Sequence, residues 1–97
     1  PQYLQAGNIR LCLDNFVASN NGESIVLTKA EYIIVSTLAK NAGSVVSREE
    51  LVRRVNPVQT IKTQAINVHI HRLRKALDWD VDTASKAGYC VRKSKDV

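Results

Sequence analysis

Residues 65–77 read AINVHIHRLRKAL, and how this stretch folds decides how the rest of the chain must be arranged. Isoleucine and leucine recur at helical spacing, while His, Arg, Arg and Lys crowd between them. At about 100° per residue and with Ile66 as origin, Ile70 falls at about 40°, Leu73 at about −20° and Leu77 at about 20°. One narrow apolar stripe therefore enters a core. Gln64, Val68, His71, Arg72 and Lys75 fall on the opposite side, between about 140° and 240°, with Asn67 and Arg74 flanking at about 100° and 80°. Basic and apolar residues occupy different faces and do not compete. The charges keep one sign as far as Asp78. The outward side is thus either a solvated basic face or a surface built to meet an anion.

The preceding segments supply the partners that such a helix needs. Residues 1–27 read as short strands. Ile9, Leu11 and Leu13 alternate with Arg10, Cys12 and Asp14 at the period of a half-buried strand. Asn21-Gly22 is a hairpin signal, and Ser24 to Leu27 return as the partner strand. Thr28 with Glu31 makes a capping box, and Tyr32, Val35, Leu38, Ala39 and Ala42 give that helix its core face up to Gly43. Ser47 with Glu50 repeats the device. Leu51, Val52 and Val55 are the buried side of this second helix, which Pro57 ends. The expected helices run near residues 28–42, 47–55 and 62–77. Beyond Leu77, Val81–Thr83 and Tyr89–Arg92 read as a second hairpin around Ser85, Lys86, Ala87 and Gly88, with Trp79 as a packing anchor at its base. The fold class is α+β: a winged helix-turn-helix in one domain over residues 1–97. Its parts are a sheet at 1–27, a three-helix core at 28–77 and a wing at 78–93.

The bulk numbers agree with one small domain. The 97 residues are 44% hydrophobic with only two prolines, which argues against disorder. The net charge of +5 resides wholly in residues 44–97, with eleven basic against six acidic side chains, while residues 1–43 balance to zero. That asymmetry favours a polyanion for the second half, nucleic acid first among candidates. Cys12 and Cys90 form no CxxC pair and read as small buried hydrophobes of a reducing compartment. No apolar run reaches the roughly 18 residues of a membrane span and no signal-peptide pattern opens the chain, so a cytoplasmic location is expected. The start at Pro1 suggests a piece of a longer protein.

Catalytic chemistry finds no footing. Ser–His–Asp and Cys–His patterns, a Gly-rich phosphate loop and zinc-ligand spacing are all missing, so the expectation is a non-enzyme without cofactor or metal. His69 and His71 point about 200° apart on a helix and cannot share a metal. Glu49 and Glu50 are first-turn residues that suit the helix dipole.

The stretches LTKAEYIIVSTLAKNAGSVVSREELVRRV and INVHIHRLRKAL at this separation resemble the effector domain of the OmpR/PhoB response regulators, and the resemblance covers nearly the whole chain. It implies sequence-specific binding of double-stranded DNA at promoter repeats, as a homodimer in the full-length protein or on DNA. It also implies a polymerase-contacting loop between the second and third helices, here Asn56, Val58, Gln59 and Thr60. The family's major-groove readers fall on Asn67, Val68, His71 and Arg72, and Arg74 stands where the family keeps a phosphate-directed arginine. Base chemistry suits these positions: Arg72 can fork onto guanine, Val68 can meet a thymine methyl and Asn67 can pair with adenine. Lys75 is expected on phosphate. The sequence also departs from the pattern. Asn56 replaces a usual tryptophan, and Gln64 replaces an arginine at the start of the recognition helix. Ser85 holds the wing arginine position, with Lys86 beside it as the substitute for groove or phosphate contact. The rival reading is a winged helix that docks an acidic protein, followed by a nonspecific or RNA-binding winged helix.

Overall fold

The computed structural model describes residues 2–56, 64–84 and 87–92. It opens with four short strands, β1 (Tyr3–Ala6), β2 (Ile9–Cys12), β3 (Val17–Asn20) and β4 (Glu23–Val26). They form one antiparallel meander in sequence order. Leu4, Leu11, Ala18 and Ile25 stand abreast across all four strands and pack into or against the core. The alternation read in IRLCLD places Ile9 and Leu11 inside. The ladder stops at Cys12, short of the expected Asp14, and the chain bends at Phe16 with φ of 59°. At the β3–β4 turn, Asn21 and Gly22 take φ of 53° and 82°. Positive φ at both central residues matches the right-handed twist of the strands, which is why Asn-Gly marked a hairpin.

Three helices follow: α1 (Lys29–Lys40), α2 (Arg48–Val55) and α3 (Gln64–Leu77). The first capping box forms in full. Thr28 Oγ1 accepts from Glu31 N at 3.2 Å, and Glu31 Oε1 accepts from Thr28 N at 3.1 Å. The second is only half made. Ser47 Oγ accepts from Glu50 N at 3.0 Å, but the Glu50 carboxylate turns forward to Arg53 and Arg54. Two cations at i+3 and i+4 outcompete one backbone N–H for an exposed carboxylate. On α1 the deepest residues are Ile34, Val35 and Leu38. Tyr32 is half-buried at the rim, stacked on Phe16 at 4.2 Å between ring centroids.

The expected apolar stripe of α3, Ile66, Ile70, Leu73 and Leu77, is buried. The N-terminal sheet secures the end of this helix. Asn20 Nδ2 donates to Leu77 O at 2.7 Å and Asn8 Nδ2 to Asp78 O at 2.8 Å, satisfying carbonyls the helix leaves open. Asp78 takes the left-handed conformation that ends the helix, with φ of 54°. Trp79 is buried, with Nε1 donating to Ala6 O at 2.9 Å, the anchoring role expected of it.

The wing is a hairpin of β5 (Asp82–Thr83) and β6 (Tyr89–Cys90), whose turn-side ends stand where the sequence suggested and whose base is shorter, without Val81 on one strand and Val91 and Arg92 on the other. It is tied back to the segment before α2: Val46 N donates to Tyr89 O at 2.8 Å and Tyr89 N to Val46 O at 3.0 Å. Gly88 makes this possible. A Cβ there would lie 2.0 Å from Val46 O, and its φ of 141° disfavours any side chain. Cys12 and Cys90 are free thiols. No helix among the described residues is long and apolar enough to cross a membrane.

Candidate functional site

With its apolar stripe buried, α3 presents Gln64, Val68, His71 and Lys75 to solvent in one row, spaced four, three and four residues apart. Val68 is 67% exposed, which leaves its methyl groups open to an apolar contact. The helix carries no acidic residue. The row is therefore a convex surface with a methyl-bearing patch, an imidazole and one ammonium at its far end.

The two flanks of this row are engaged with the protein itself. On the side facing α1, the Arg72 guanidinium pairs with Glu31. Glu31 is 1% exposed, and its carboxylate also accepts from Thr28 N and faces His69 Nδ1 at 3.2 Å. Burial pushes the Glu31 carboxyl up, but the Thr28 amide, Arg72 and His69 outweigh it and hold the pKa below the usual value. Arg72 keeps 48% of its side chain exposed, so it is tethered rather than enclosed.

On the side facing the wing, Arg74 donates through Nη2 to Val81 O at 2.6 Å and to Thr83 Oγ1 at 2.8 Å. It is thereby fixed on β5, whereas the resemblance placed it toward phosphate. Asn67 Oδ1 accepts from Arg48 Nε at 3.2 Å and from the Tyr89 hydroxyl. Reading adenine requires a free Oδ1 for the N6 amino group as well as Nδ2 for N7. Here both lone pairs of Oδ1 are already used. The Tyr89 ring lies beneath two guanidinium groups, Arg48 at 4.9 Å and Arg74 at 6.0 Å from its centroid.

The expected site residues thus divide into two sets. Gln64, Val68, His71 and Lys75 come together on the open row, while Asn67, Arg72 and Arg74 each hold an internal partner. Asn56 caps the end of α2, its N–H donating to Val52 O at 2.9 Å. Lys86, Val58, Gln59 and Thr60 lie outside the described residues. Glu31, Arg48 and Tyr89 were not singled out from the sequence as parts of the site. For Glu31 a signal existed: it sits three and four residues before Ile34 and Val35, on the buried face of α1, where a carboxylate needs a cation.

Residues 22–91 match the family described as "Transcriptional regulatory protein, C terminal". The sensory transduction protein RegX3 of Mycolicibacterium smegmatis is 35% identical over 78 residues, 79% of this chain and 34% of that protein. The chain spans less than half the length of the curated relatives it matches. Among solved structures, the DNA-binding domain of E. coli CadC superposes with a TM-score of 0.79 at 25% identity, covering 96% of this chain and 94% of that one. The DNA-binding domain of CpxR from E. coli gives 0.75 at 29% identity, over 96% and 98% of the two chains.

Proposed function

The chain belongs to the transcriptional regulatory protein C-terminal family, of OmpR/PhoB type, and from that premise we propose that it binds double-stranded DNA sequence-specifically to regulate transcription. The observation that carries this reading is the open row of α3. A helix with Gln64, Val68, His71 and Lys75 outward and no acid along its length suits the major groove, which admits a helix of about 10–12 Å diameter. Val68 then meets a thymine methyl, Gln64 and His71 contact base edges, and Lys75 sits on phosphate. The wing lies along the neighbouring groove or backbone, where Lys86 adds a cation.

Residues 1–97 act as one winged-helix unit, its sheet at 1–27, helical core at 28–77 and wing at 78–93. The protein works in the cytoplasm and pairs with a second copy on repeated promoter elements. The segment around Asn56, Val58, Gln59 and Thr60 is the surface offered to RNA polymerase. Chemistry on a substrate has no place in this reading.

Selection of bound sequences from random duplex DNA tests it. Enrichment of one common element, bound at least tenfold tighter than a scrambled duplex, is the expected result. A pool that never enriches, or equal affinity for every duplex, would remove sequence-specific binding. An acidic protein partner, the rival occupant of a basic face, would leave the pool unenriched.

A further inference from the structure

Asn67 stands at the point where α3, α2 and the wing converge. We propose that it is a positioning residue rather than a base reader: it sets the wing against the recognition helix and so fixes the distance between groove contact and wing contact. This rests on the DNA-binding reading above and adds a role that reading does not contain.

The junction is built from both sides. From α2, Arg48 Nε donates to Asn67 Oδ1 at 3.2 Å, and the same guanidinium lies 4.9 Å over the Tyr89 ring. From the wing, the Tyr89 hydroxyl donates to the same oxygen. Tyr89 is 4% exposed, so packing holds its ring, and its backbone exchanges two hydrogen bonds with Val46 that hold the strand. Arg74, about two turns along α3 from Asn67, holds the other wing strand through Val81 O and Thr83 Oγ1. The wing therefore has two fastenings on α3, one to each strand. Of the pair, the Asn67 fastening lies beside Gln64 and Val68 on the outward row and the Arg74 fastening beside Lys75. A two-stranded ribbon so short has little stability of its own, so its angle is set from outside, by these side chains together with the Val46–Tyr89 bridge.

Asparagine also explains the choice of residue. The oxygen accepts from two donors at once and carries no net charge next to the face meant for an anion. Aspartate would keep the acceptor and add repulsion toward phosphate; alanine would lose the acceptor altogether.

Asn67→Ala, Asn67→Asp and Tyr89→Phe distinguish the two roles, each compared with the parent chain on the selected duplex. Under the positioning role, Asn67→Ala and Tyr89→Phe weaken binding about three- to tenfold, the scale of one lost hydrogen bond. The ranking of single-base site variants stays as in the parent, and hydroxyl-radical protection is lost only on the wing side. Asn67→Asp restores the wing-side protection, with a uniform loss of affinity on every sequence. If Asn67→Ala instead flattens preference at one base pair and leaves wing-side protection intact, the residue reads a base and the proposal is overturned. A second measurement needs no DNA. Amide hydrogen exchange in the free chain should quicken at residues 82–84 and 89–91 in Asn67→Ala while α3 is unchanged. Unchanged exchange in the wing would overturn the proposal even if no duplex were ever bound, so it fails separately from the DNA-binding reading.

Discussion

Glu31 carries a carboxylate into the interior between α1 and α3, held by the Thr28 amide, Arg72 and His69. Removing the guanidinium leaves that carboxylate buried with only part of its hydrogen bonding. A charged hydrogen bond of this kind contributes about 1.5–3 kcal/mol, and the half-exposed Arg72 is discounted for solvent screening. Arg72→Ala should therefore destabilise the fold by about 1–2 kcal/mol, read from chemical denaturation; a change near zero would show the pair to be incidental. The pH dependence has a definite sign. Because the folded Glu31 pKa lies below the ordinary value of 4.5, the stability it contributes is full above that value. It drains away as pH falls through the lower, folded pKa. Glu31→Gln should flatten this acid limb of the stability profile, and an unaltered limb would assign it to other carboxylates. Gly88 makes a second residue-scale case. An alanine Cβ would collide with Val46 O at 2.0 Å and approach Ser47 Cα at 2.8 Å, both backbone atoms with no freedom to yield. Gly88→Ala should cost about 2–3 kcal/mol and release the Tyr89 amide from protection; a stability equal to the parent would contradict the close approach.

At the scale of the element, α3 performs three tasks with three strips of surface. Ile66, Ile70, Leu73 and Leu77 set its depth against the core, Asn67 and Arg74 hold the wing, and the outward row is left for a ligand. The strips predict different kinds of loss. Val68→Ala or His71→Ala should relax preference at one base pair by about 1–3 kcal/mol. Lys75→Ala should weaken all duplexes alike and lower the salt slope by about 1. Arg74→Ala should behave as a stability variant, loosening Val81 and Thr83. A panel of single-base site variants at fixed salt separates these outcomes; if Lys75→Ala reorders the panel, the division is wrong. Much of α3 was legible beforehand because a period of 3.6 is written locally into the order of residues. The fate of Arg72, Asn67 and Arg74 was not. Each lies near the boundary of the polar face, where a long side chain can reach outward or sideways with equal ease on a helical wheel.

Across the whole molecule, the tethering of Arg72 and Arg74 lowers the number of cations free for phosphate. With about four phosphates neutralised per chain, log K should fall against log salt with a slope of about −3 to −4. Filter binding between low and physiological salt measures it, and a flat line would count against a polyanion. The sequence alone determined the fold class and, among the described residues, the ends of the helices to within about two residues. Strand alternation, the Asn21-Gly22 turn, the Thr28 cap and the Ile66–Leu77 stripe all act over a handful of residues and need no distant partner to be read. It also fixed the sign of the charge on the outward face. Only the tertiary structure decided which of those charges face outward unpaired. Arg72 meets Glu31 across 41 residues, Asn67 meets Tyr89 across 22 and Arg48 across 19. Such pairings depend on how α1, α2 and the wing close around α3, and an arginine or asparagine side chain will take whichever acceptor or donor that closure brings within about 3 Å.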